Sequence, residues 1–438
     1  MRVLHLTWEY PPLVYGGIAR HVHELASAQA AAGDDVTVIT QAHPEAPADA
    51  VVDGVRVIRV AHDPPHLPFG EQTLLAWVLA LNSSLSRALV KATTGPGPDV
   101  VHAHDWVVAH SLAMARGGLD LPTVATFHAT EAGRHQGWVP TDLAHHIGGV
   151  ERWLADLADA VITCSRHMRW EVGTLFGDPD RVTVIPNGID PAPWQASGAD
   201  TRSGSDTWSG SADPLIVFAG RLEWEKGIFD LLDAVADVLR QRPQARLFIA
   251  GSGGQEQQVM ARIGEHPLRG RVEMAGRLDR TALGAAFRRA SLVVVPSRYE
   301  PFGLVALEAA AAGAPLLVTD TGGLADIGDG GSFAALVAPG DPAALSAAIA
   351  ECLTDEASAT RRSRALRDRL ATDYDWPTIA GQTAGVYANA VDASHHRREE
   401  PPDVIVASAL DPFGPYTAAA RPQGNVLYPA PSPGGSDA

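Results

Sequence analysis

The chain has 438 residues, 46% of them apolar, enough to build more than one buried core. Its formal charge is −17 and its basic residues form no long run, which argues against nucleic acid or an anionic membrane as a main partner. The two cysteines, Cys164 and Cys352, have no neighbouring Cys or paired His and read as reduced thiols.

Residues 1–8 run straight into a strand pattern, with no apolar leader and cleavage site. No stretch of about 18 uncharged apolar residues stands out, so a cytoplasmic protein without a transmembrane segment is expected. Strand-like apolar runs follow at 3–7, 36–40, 55–60, 100–103, 123–126, 160–163 and 182–185. Helical patterns lie between them. The first, 18–32, puts Ile18, Val22, Leu25 and Ala28 on one face, with Gly33 as a stop signal. This alternation predicts a doubly wound parallel sheet in residues 1–191. Residues 192–213, rich in Ser, Gly, Ala and Asp, read as a flexible linker. The rhythm resumes at 215–219, 247–250, 272–274, 292–295 and 315–319, predicting a second Rossmann-like lobe over 214–375. A last helix is expected over 376–392, followed by a disordered Pro-, Gly- and Ala-rich tail over 393–438. The fold class is therefore α/β with two doubly wound lobes.

In open α/β sheets, ligands bind beyond the carboxyl ends of the strands, and several loops there carry suggestive chemistry. Residues 9–17 end in Gly16-Gly17 before the first helix, where bare N–H groups favour a phosphate; a plain tight turn fits equally well. The loop lacks both G-x-G-x-x-G and a P-loop lysine. His104-Asp105-Trp106 closes another strand; Asp105 suits either a sugar hydroxyl or a helix cap, and Glu131 is a second weak acceptor-side candidate. His128, in Thr126-Phe127-His128, sits at a strand end, where a catalytic and a structural role are both open. After the strand at 215–219, Gly220-Arg221 and Lys226-Gly227 place two cations before a helix starting near Ile228, suiting a diphosphate or a merely solvated loop. Gly251 and Gly253 follow the next strand in a weak G-x-G-G turn. The sharpest stretch is 296–308, with Glu300 before a helix starting near Phe302 and Glu308 in its second turn. The amides of Phe302, Gly303 and Leu304 lie between the two acids, where a helix leaves its first N–H groups free. The acidic triplets Asp178-Pro179-Asp180 and Asp373-Tyr374-Asp375 read as turn and cap residues, and no metal is expected.

Together, EPFGLVALE (Glu300 to Glu308), GRLEWEKG, VIPNGID and the Gly16-Gly17 loop resemble the retaining GT-B glycosyltransferases of family 4. That family includes bacterial glycogen synthases, sucrose synthases and mannosyltransferases of lipid glycans. WEYPPLVYGGIARHVHELA, VVHAHDWVVAH and TFHATEAGRHQGWV are most similar to actinobacterial α-(1→4)-glucosyltransferases of glycogen and methylglucose lipopolysaccharide synthesis. The resemblance implies two lobes facing across a cleft, with the last helix crossing back onto the first. It also implies that Arg221 and Lys226 hold the donor diphosphate in place of a metal and that Glu308 binds the ribose. Glu300, with Phe302, Gly303 and Leu304, would hold the transferred sugar, with His128 beside it. Gly16 and Gly17 would line the phosphate side, and Gly251, Gly253 and Arg277 the nucleotide. The implied reaction moves glucose from UDP-glucose or ADP-glucose to an α-1,4-glucan, with no cofactor beyond the donor. Alternative activities are a maltose-1-phosphate synthase using glucose 1-phosphate as acceptor, a sugar-nucleotide epimerase of the same fold, or a sugar-nucleotide-binding scaffold.

Overall fold

A computed structural model describes residues 1–137, 139–177, 179–195 and 213–399. Most of the expected linker and nearly all of the expected tail lie outside these residues. The described residues fall into two compact units: Met1–Thr163 with Met168–Ile185 and 380–399, and Cys164–His167 with Pro186–Ile379.

The first unit holds β1 (Arg2–Leu6), β2 (Asp35–Gln41), β3 (Asp49–Val52), β4 (Val55–Val60), β5 (Val100–His104), β6 (Thr123–Phe127), β7 (Ala160–Thr163) and β8 (Val182–Val184). They form one sheet in the order β3-β4-β2-β1-β5-β6-β7-β8. All pairings are parallel except β3 with β4, a hairpin closed by Asp53 and Gly54, both at positive φ. β3 was not expected, because its DAVV alternates exposed and half-buried positions and carries no apolar run. β5 and β6 are buried at every residue, as central parallel strands are, so the polar side chains they carry must find partners inside. The Gly17–Ala31 helix buries Val22, Leu25 and Ala26, but also His21 and Gln29, and Gly33 at φ 98 follows its end.

The segment Glu71–Ala92 is long and apolar enough to cross a membrane by length and mean hydropathy, although it carries Glu71, Arg87 and Lys91. In this unit, its Trp77, Val78, Leu81, Leu85 and Leu89 are buried. Asn82 on the same face donates to the Val78 and Val107 carbonyls and accepts from the Ser111 amide.

The second unit holds β9 (Leu215–Ala219), β10 (Arg246–Ala250), β11 (Val272–Gly276), β12 (Leu292–Val295), β13 (Leu316–Thr319) and β14 (Ala335–Val337). Their all-parallel order is β11-β10-β9-β12-β13-β14. The Ile228–Gln241 helix repeats apolar residues at helical spacing and buries Ile228, Leu231, Leu232, Val235 and Leu239 against Ile216, Phe218 and Ile249. Each such side chain contributes about 1.5–3 kcal/mol on burial. The last helix spans Trp376–Glu399, past the expected end at 392.

Candidate active site

In the first unit, the loop after β1 is organised by Glu9, which is almost fully buried. Its carboxylate accepts from the amides of Tyr15 (2.6 Å) and Gly16 (3.0 Å). Burial pushes Glu9 above the usual carboxylate range, and the Tyr15, Gly16 and Ala19 amides pull it back. The Gly16 N–H thus has a protein carboxylate as its partner here, and Gly17 opens the helix behind it. Beside this loop runs an aromatic ridge. Trp8 stacks on Tyr15 at 4.9 Å and on Phe69 at 6.1 Å, and Phe69 meets buried Trp77 edge-on at 4.9 Å. Tyr15 and Phe69 remain 55% and 50% exposed.

Asp105 is buried, and its carboxylate accepts from the His128 backbone N–H at 2.7 Å. It makes no side-chain cap to the Trp106–Val108 turn that it precedes. Its bond to the His128 N–H fastens the loop that carries that residue. Desolvation raises its pKa to about 7, against the lowering effect of that bond. The Glu131 side chain pairs with His135 at 3.2 Å, and its N–H goes to buried Glu151.

The half-buried His128 ring joins a cluster that the sequence reading missed. His104 Nδ1 lies 3.2 Å from His128 Nε2, and His5 Nδ1 lies 3.0 Å from His104 Nε2. His21 meets His128 edge-on at 4.7 Å, and His102 lies 4.2 Å from His104. Burial drives His102, His104 and His128 well below the usual imidazole range and takes His5 to about 4, so these rings are neutral near pH 7. Two triplets, His5–His102–His104 and His21–His104–His128, bring ligand atoms within 4.8 Å of one another, close enough for a metal. In both, however, ring nitrogens are already engaged with each other. Neither acidic triplet offers a comparable set: Asp180 pairs with Arg169, Asp375 caps Thr378, and Asp178 lies outside the described residues.

In the second unit, three loops lock together at the carboxyl ends of β9, β10 and β12. Gly227 adopts φ 66, and a Cβ there would lie 1.9 Å from the Pro296 carbonyl oxygen; only glycine fits. The Glu225 carbonyl accepts from the Arg298 and Tyr299 amides. Gly251 approaches the Gly220 carbonyl so closely that a Cβ would stand 1.8 Å away, and Gly253 crowds Leu222 similarly. These glycines serve loop-to-loop packing, whatever contact they also make with a nucleotide.

This packing brings Lys226 to Glu300, Nζ to Oε2 at 2.8 Å, with both side chains less than one-fifth exposed. Buried Ser297 donates to the same oxygen at 3.2 Å. Arg221 is half-exposed and pairs with Glu225 at 2.8 Å. Gly303, at φ 105, precedes the Leu304–Ala311 helix, which buries Glu308 one turn further on. Phe302 is buried and Leu304 half-buried, while Arg277 is exposed just past β11. The loop is held from behind by Gly322 and Gly323, which the sequence reading did not single out. The Gly323 amide donates to the Glu300 carbonyl at 2.9 Å, and a Cβ on Gly322 would lie 1.9 Å from that oxygen. Their signal was a Gly-Gly pair where the chain passes from a strand into a helix, as at Gly16-Gly17.

The family model described as Glycosyltransferase Family 4 matches residues 15–193, and that described as Glycosyl transferases group 1 matches residues 208–369. The chain is similar to the glycogen synthase of Mycobacterium tuberculosis, 43% identical over 94% of this chain and 99% of that protein. It is also similar to the alpha-maltose-1-phosphate synthase of the same organism, 32% identical over 88% of this chain and 99% of that one. Among solved structures, it is similar to the sucrose-phosphate synthase of Thermosynechococcus elongatus, with a TM-score of 0.74 and 24% identity over 90% of this chain and 100% of the other.

Proposed function

This chain belongs to glycosyltransferase family 4, a hexosyltransferase of GT-B fold, and we propose that it is a retaining glucosyltransferase of glycogen synthesis, moving glucose from UDP-glucose or ADP-glucose onto an α-1,4-glucan. The observation that carries this reading is the Lys226–Glu300–Ser297 constellation. It sets a cation and a carboxylate side by side, the two chemistries that a sugar diphosphate needs.

In this reading, Lys226 and Arg221 neutralise the leaving diphosphate as the C1–O bond breaks. Glu300 accepts from sugar hydroxyls, assisted by the amides of Phe302, Gly303 and Leu304. Glu308 takes the ribose, Gly251, Gly253 and Arg277 flank the nucleotide, and His128 positions the sugar. The acceptor hydroxyl attacks C1 from the face the diphosphate leaves, and the departing phosphate oxygen takes its proton. The Trp8–Tyr15–Phe69 ridge supports a glucan as acceptor, since flat exposed rings suit the C–H faces of glucose units. No cofactor beyond the donor is needed.

The test offers UDP-glucose and ADP-glucose with glycogen, a maltooligosaccharide or glucose 1-phosphate, and sizes the products. Glucan elongation with α-anomeric retention is the expected result. Transfer to glucose 1-phosphate alone would assign the maltose-1-phosphate activity instead. Conversion of the donor without any acceptor would assign an epimerase.

A further inference from the structure

Beneath His128, the polar side chains of the first unit form one unbroken hydrogen-bonded chain. His5, His102, His104 and Tyr387 are fully buried and Gln29 almost so. Gln29 Oε1 lies 2.8 Å from His5 Nε2; an amide oxygen can only accept, so His5 carries its proton on Nε2. Its Nδ1 is then a lone pair, and His104 Nε2, 3.0 Å away, must donate to it. By the same rule His104 Nδ1 accepts, and His128 Nε2, 3.2 Å away, donates. One amide orientation thus sets three imidazoles in series.

The amide is itself held from a remote part of the sequence. Gln29 Nε2 donates to the Tyr387 hydroxyl at 3.0 Å, on the last helix. That hydroxyl donates to His102 Nδ1 at 2.8 Å, and His102 Nε2 to Thr126 Oγ1 at 2.7 Å. Turning the Gln29 amide over would reverse every donor, so the two settings are distinguishable at His128 itself: Nε2–H in one, Nδ1–H in the other. Asp105 fixes the backbone of the same residue, so the chain has one remaining task, the ring's tautomer.

We propose that Gln29, His5 and His104 are positioning residues that fix His128 as its Nε2–H tautomer, so that its Nδ1 is a lone pair able to accept from a sugar hydroxyl. The sugar in this statement rests on the glucosyltransferase reading; the tautomer does not. Mutual bonding of the rings also argues for a relay over a metal site, since a metal would have to break these bonds to reach the same nitrogens.

The test is long-range proton–nitrogen NMR on the full chain with 15N-labelled histidine, the His128 signals being assigned by their loss in His128→Gln. The expected result at pH 7 is Nε2–H on His5, His104 and His128, with UDP-glucose shifting the His128 Nδ1 resonance. Gln29→Leu should populate the other His128 tautomer and lower kcat about tenfold with donor KM within about twofold. Gln29→Glu, whose near oxygen can still accept from His5 while the Tyr387 hydroxyl turns to its other oxygen, should restore the His128 tautomer. Tyr387→Phe, which keeps the ring and removes the hydroxyl, gives the same readout should Gln29→Leu fail to fold. An Nδ1–H proton on wild-type His128, an unchanged tautomer in both variants, or one zinc per chain retained by the cluster would overturn the proposal. Because the tautomer is read without donor, a wild-type protein that transfers no glucose would sink the function and leave the relay standing.

Discussion

Replacing Lys226 with methionine keeps the length of the side chain and removes its charge. The structure predicts two separable costs. Glu300, about 16% exposed, loses its 2.8 Å partner and keeps only the Ser297 hydroxyl. Leaving a half-satisfied, mostly buried carboxylate costs on the order of 1–3 kcal/mol of stability. For a domain of this size that is about 2–4 °C of melting temperature per kcal/mol, so the variant stays folded at 25 °C. The catalytic cost is larger. If the lysine meets charge that develops on the leaving diphosphate, its loss removes a preorganised donor, with kcat falling roughly 100- to 1,000-fold, or ~2.7–4 kcal/mol. The assay follows nucleoside diphosphate release with glycogen as acceptor, beside a thermal melt. Glu300→Gln and the double variant complete a cycle in which the two losses are strongly non-additive. A folded Lys226→Met protein within about fivefold of wild-type kcat would refute the assignment.

Three further outcomes follow from the geometry. Gly227→Ala forces a Cβ to 1.9 Å from the Pro296 carbonyl at φ 66, so a loss of at least about 2 kcal/mol is expected; an unchanged melting temperature would contradict the loop packing. Asp105, raised by burial to about 7, stabilises the fold less as pH climbs from the unfolded value near 3.8 to about 7 and no less beyond it. Asp105→Asn keeps an acceptor for the His128 amide, so its stability relative to wild type should rise across that window by up to about 4 kcal/mol, measured by denaturant titration at several pH values; a flat difference would disprove the buried charge. Tyr15→Ala with Phe69→Ala should raise the maltooligosaccharide KM about tenfold and leave the donor KM in place, and an unchanged acceptor KM would remove the ridge from the acceptor side.

The two sheets were legible because parallel strands buried on both faces read as apolar runs of fixed length: Val100 to His104 and Leu292 to Val295 announce themselves. The edge strand Asp49–Val52 did not, since half its residues face water and pairing on one side alone holds it. Lys226 and Glu300 were found by residue type and position, but their ion pair spans 74 positions and no local spacing predicts it. The relay was less visible still. His102 and His104 share a strand face at period two, yet Gln29 and Tyr387 lie 358 positions apart and look like ordinary helix residues. The Gly-Gly loop was legible as a loop, but the bond from the Gly16 amide to Glu9, seven positions earlier, was not, because no local spacing announces it.

On the proposed reading an acidic chain must keep its diphosphate-binding cations from being quenched by its own carboxylates, yet here they are paired in advance. Arg221 sits on Glu225, Arg298 on Asp230 and Lys226 on Glu300. For Lys226 the pairing makes chemical sense on the proposed reading. A sugar diphosphate has a neutral, hydroxyl-bearing end that wants acceptors and an anionic end that wants donors. Splitting one ion pair supplies both: the lysine turns to phosphate, and the carboxylate it releases turns to the sugar. Neither group is then left desolvated and alone at any stage, which is the costliest state for a buried charge. Arg298 differs, because its bidentate bond to buried Asp230 and its stacking over Trp224 at 4.8 Å leave it nothing to exchange. It braces the loop, and the exchangeable charge of this site is concentrated in Lys226 and the more exposed Arg221.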